Sequence, residues 1–77
     1  MSDSANIEDM IHMLEKAAEQ LDLSRQHLLV AAEHMRKKDI PRFSAHVLAA
    51  NGHLASVLDL RDQISQKHAS FAVPTAD

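Results

Sequence analysis

Two apolar stripes of one period, set on either side of a single break, constrain this chain more than any other feature. Ile7, Met10, Leu14, Ala17, Leu21, Ser24, Leu28, Ala31 and Met35 recur at alternating steps of three and four, and eight of these nine are apolar. Ile40, Phe43, Val47, Ala50, Leu54, Val57, Arg61, Ile64, His68 and Phe71 repeat the pattern, cleanly to Val57 and less so beyond. Steps of three and four gather on one face of an α-helix, and a sustained heptad of this kind lets helices zip together along their length. Between the stripes lies Lys37-Lys38-Asp39-Ile40-Pro41. A proline there prevents one unbroken helix and is tolerated in the first turn of a new one.

The helix ends are marked as well. Asn6 is a good N-cap, and Glu8 and Asp9 suit the positive end of the helix dipole. The first helix is predicted over about residues 7–37, closing on the cations Arg36, Lys37 and Lys38, which suit a C-terminus. Asp39 caps the second helix, and Pro74 stops it by about residue 72. Asn51-Gly52 is a turn signal, but Val47, Ala50, Leu54 and Val57 keep phase across it, which predicts a continuous helix. The expected fold is all-α. It is an antiparallel hairpin over residues 6–72 with its turn near 38–41, flanked by flexible segments at 1–5 and 73–77. Each helix would be about 45 Å long at 1.5 Å per residue.

A chain of 77 residues with one Gly and no Cys has neither disulfides nor thiolate metal sites. Two helices side by side bury one stripe each, and a core that small rarely suffices alone. Self-association, with two hairpins forming a four-helix bundle, is therefore expected. The first helix carries Leu23, Leu29 and Val30 away from its stripe. The second carries Ala45, Ala49, Gly52 and Ser56, a row of small residues at steps of four, three and four. The large residues filling that small-residue groove on a second copy make an expected oligomer interface.

Six histidines add a second pattern: His34 and His46, His27 and His53, and His12 and His68 are symmetric about residue 40. With the stripe residues labelled a and d, His27, His34, His46 and His53 all fall on the g flank, and in an antiparallel pair g faces g. His34 should stand opposite His46, and His27 opposite His53. His12 and His68 do not share a flank. Facing imidazoles could ligate zinc, nickel or copper, although no His-x-x-x-His or Glu-x-x-His spacing supplies a complete ligand set. They could also sense pH, since imidazole ordinarily titrates near 6.5. The plainer expectation is that they cover the edges of the core, and no cofactor is expected.

Arg36, Lys37, Lys38 and Arg42 make the turn basic, a possible contact for phosphate or an acidic partner. No aromatic platform lies beside them, and the net charge is −3, so nucleic acid is a minor expectation. There is no basic leader followed by an apolar stretch and no apolar run near 18 residues, so a cytoplasmic protein without membrane contact is expected. Catalysis is not expected, because nothing resembles a nucleophile turn, an oxyanion hole or a phosphate loop. The reading that results is a small helical interaction module acting as a homo-oligomer with a further protein partner: a regulator, adaptor or assembly chaperone. A histidine-based metal or pH sensor and a nucleic-acid-contacting hairpin dimer are the alternatives.

Overall fold

The computed structural model describes residues 3–72 and Pro74, with side chains from Asn6 onward. Two helices, α1 (Asp3–Arg36) and α2 (Ile40–Phe71), lie antiparallel and pack on each other. The hairpin measures 55 × 25 × 16 Å. The described residues include no helix long and apolar enough to cross a membrane.

The first helix begins at Asp3, so Asn6 lies inside it rather than at its cap. Ser4 and Ala5 continue the helix backwards, and nothing in that stretch forbids helical dihedrals. Of the segments expected to be flexible, residues 3–5 are helical, while 1, 2, 73 and 75–77 lie outside the described residues.

The turn is built by local hydrogen bonds. The Lys38 N–H donates to Met35 O and the Asp39 N–H to His34 O, both at 2.9 Å. This double closure is a Schellman motif, and its left-handed position is usually glycine. Here it is Lys38, with φ 58°. Asp39 then caps α2, its carboxylate accepting from the Arg42 N–H at 3.3 Å, with Pro41 in the first turn. At the far end the Ala72 N–H closes on His68 O and Ala69 O. Helix α2 runs through Asn51-Gly52 without interruption, and Gly52 does not take a positive φ. The stripe keeping phase outweighs the turn preference of that pair.

The two helices meet on a different face from the one their stripes suggest. The stripes' d residues are buried or half-buried, except Phe71 at the end of α2, which is 39 % exposed. Among the described residues only Ser24, Ala31 and Ala50 are buried, at 2, 4 and 1 % exposure, and all three are d. The a residues do not point inward. Ile7, Leu14, Leu21, Leu28 and Met35 on α1, with Ile40, Val47 and Leu54 on α2, stay 39–56 % exposed. The g flank takes their place: Met13, Gln20, His27 and His34 on α1, and His46, His53, Leu60 and Lys67 on α2, are half-buried. Each helix is thus rotated by about one heptad position, and the hairpin closes on d and g.

Small d residues explain the rotation. Ser24, Ala31 and Ala50 let the backbones come close, and the Ser24 hydroxyl donates across the gap to Ala50 O at 3.1 Å. Leucines at a would hold the helices further apart. A hairpin zipped on d and g keeps its most apolar positions outside, which is the geometry of a helix pair taken from a larger bundle.

Candidate functional site

The inner seam carries a ladder of four imidazoles. The rings of His34 and His46 stack, and so do those of His27 and His53, each pair with centroids 5.3 Å apart. His27 and His46 join the two pairs. Their centroids are also 5.3 Å apart, and their Nδ1 atoms lie 3.0 Å from each other. The ladder ends at Gln20, whose Oε1 lies 2.8 Å from His53 Nδ1. Helical periodicity supplies the placement: His27 and His34 are seven residues apart on α1, as are His46 and His53 on α2.

The hydrogen bonds constrain the protons. Gln20 Oε1 accepts, so His53 carries a proton on Nδ1. Between His27 and His46 one ring must donate and the other accept. The other seam positions at these heights are Ser24, Ala31, Phe43 and Ala50. The titratable groups that face each ring across the seam are therefore the other histidines. The nearest charges around the turn are engaged elsewhere: Arg36 pairs with Glu33 at 2.8 Å, and Arg42 with Asp39 at 3.5 Å.

As a metal centre the ladder is incomplete. Stacked rings present faces to one another, and lone pairs converge only at the 3.0 Å contact of His27 and His46. Among the described residues no group of three or more His, Asp or Glu side chains is disposed to hold a metal ion. The sequence pattern predicts which rings lie together, but ring orientation is a tertiary property.

The second feature is the exposed a stripe. One side of the hairpin is polar, with Lys67 reaching Asp9 at 3.4 Å and a shallow groove between Lys16, Ser56 and Gln63. The a residues of both helices share the opposite side. Ile11 and Leu58, on the neighbouring e flank, widen it. On α1 the stripe runs the length of the rod; on α2 it is apolar from Ile40 to Leu54, with Leu58 beside it, and the a residues nearer the open end are Arg61 and His68.

Of the residues expected to form an oligomer interface, Ala45, Ala49, Gly52 and Ser56 make one row on α2 toward the polar side, the side that Leu23 and Val30 of α1 also border; Leu23 and Ala49 are half-buried and the other four exposed. Leu29 is on the back of α1, away from the seam. A Cβ on Gly52 would meet nothing within 4 Å inside the hairpin. The basic residues Arg36, Lys37, Lys38 and Arg42 gather around the turn as the break implies, all exposed.

Comparison with known protein families, with curated proteins and with solved structures finds no match.

Proposed function

We propose that this protein is a non-catalytic, self-associating helical hairpin, an interaction module whose working form is a dimer with four helices. The observation that carries the reading is the a stripe: eight large aliphatic side chains on one side, each roughly half exposed. Monomers seldom leave so long an apolar face uncovered. Each of these side chains has on the order of 1 kcal/mol to gain from the rest of its burial. The hairpin's own interior, three buried small residues and a histidine ladder, is slight for a chain of this length. A cover with the same heptad repeat fits best, and a second copy has it. The polar side and the basic turn then remain for a further protein, as in a regulator, adaptor or assembly chaperone.

Sedimentation equilibrium tests this. The chain should sediment as a dimer, and Leu21→Glu/Leu54→Glu should sediment as a monomer, or unfold at concentrations where the parent is folded. A monomeric parent with full helicity at micromolar concentration would defeat the reading.

The Nδ1 contact between His27 and His46 supports a second reading, in which the hairpin responds to protons. One added proton leaves a donor and an acceptor in the pair. Two leave facing N–H groups with no acceptor.

A further inference from the structure

The a stripe and the charges beside it specify how the second copy lies. This inference rests on the self-association proposed above. We infer that two hairpins dock face to face and end for end, each turn lying over the partner's open end, about a two-fold axis at the height of Leu21 and Leu54.

The apolar positions carry the first part. Cross-helix contacts (Ser24 with Ala50, Asp9 with Lys67) bring residues whose numbers sum to about 75 to the same height. Leu21, the middle of the α1 stripe, therefore lies level with Leu54, the central a position of α2, beyond which Arg61 and His68 replace apolar residues and, on reversal, come level with the partner's Val47 and Ile40. When one copy is reversed about that level, α1 lies along the partner's α1 and α2 along the partner's α2. The α1 stripe then closes on itself: Leu21 meets its own copy, Leu14 meets Leu28, and Ile7 meets Met35. The broad side of the rod is 55 × 25 Å, so a copy laid along it covers more than the roughly 800 Å² per partner of a standard interface.

Charge selects the end-for-end arrangement over one with both turns together. The outer rim of α1 reads Glu8, Glu15 and Asp22 toward the open end, then Arg25 and Arg36 toward the turn. Reversal sets Arg25, which also pairs with Asp22 of its own helix, beside the partner's Glu15, and Arg36, which also pairs with Glu33, near the partner's Glu8, each twice by symmetry. The whole rod is dipolar in the same sense. Its turn half, residues 20–56, holds five cations and three acids, whereas residues 6–19 and 57–72 hold three cations and six acids. With the turns together, like halves would meet, and Glu15 would come level with Asp62 of the partner.

Pulsed dipolar spectroscopy on a single nitroxide label separates these arrangements, because the chain has no native cysteine. Lys37→Cys puts the label at the turn and Ser70→Cys puts it at the open end, both on exposed residues. On a rod 55 Å long, end-for-end docking gives label separations of about 50 Å in both variants. Separations below about 25 Å in both would overturn the end-for-end assignment while leaving the dimer intact. Loss of the dipolar signal together with a monomer in the ultracentrifuge would overturn the dimer and this inference with it. Salt gives a second readout: dimer affinity should weaken as salt screens the opposed halves, and strengthening with salt counts against the assignment.

Discussion

His27 and His46 face each other through like atoms, Nδ1 to Nδ1 at 3.0 Å, and a contact of that kind exists only while one of the two rings withholds a proton. It joins two stacked pairs into a ladder. Removing one ring, in His46→Ala, should therefore lower stability at pH 7.5 by about 1 kcal/mol, a net hydrogen bond. Chemical denaturation measures it, and an unchanged midpoint would show that the contact contributes nothing.

A separate change is expected at lower pH. The Gln26 side-chain amide, and after it the Arg25 guanidinium, hold the Asp22 carboxyl below its ordinary 3.8. A depressed carboxyl contributes stability above its unfolded value, and that contribution is lost as pH falls through the folded one. Asp22 is exposed, so the effect is small. Comparing Asp22→Asn with the parent in melts between pH 2 and 5 reads it, and parallel curves would show that these contacts contribute nothing.

Ser24 holds α1 against Ala50 with a buried hydroxyl. Ser24→Ala should cost about 1 kcal/mol, a net hydrogen bond, because the Ala50 carbonyl also has the α2 backbone to bond with. Chemical denaturation measures it. A neutral substitution would mean that close approach of the small residues, rather than this bond, sets the spacing.

Lys38 occupies the left-handed position of the turn at φ 58°. Glycine takes that conformation without a Cβ penalty, so Lys38→Gly should stabilise the hairpin by about 1 kcal/mol. A loss of stability would show that the Lys38 side chain makes contacts worth more than the strain it bears.

Gly52 separates two candidate interfaces. It sits inside α2 with nothing within 4 Å of a Cβ placed on it. If the second copy covers the a stripe, Gly52→Ala should raise stability by about 1 kcal/mol through helix propensity alone and leave the dimer intact. If the copy instead seats on the small-residue row of Ala45, Ala49, Gly52 and Ser56, the added methyl should weaken association. Denaturation together with sedimentation decides between them.

Periodicity by itself determined a good deal here. Steps of three and four dictate helices, Pro41 and its neighbours dictate where the first one stops, and a seven-residue spacing of histidines on one flank puts four rings at matching heights once the chain reverses. These are local consequences of 3.6 residues per turn and of a proline without an N–H. The start of α1 was less legible, because an Asn can cap a helix or sit inside one. Only the tertiary structure decided which side of each apolar stripe turns inward. A heptad stripe in a bundle faces two neighbours at once, and its spacing does not say which of them is the other arm of the same hairpin. Ser24, Ala31 and Ala50 settle that choice, because small side chains permit an approach that leucines at a would prevent. The hairpin therefore closes on its d residues and imidazoles and turns Leu14, Leu21, Leu28 and Leu54 outward.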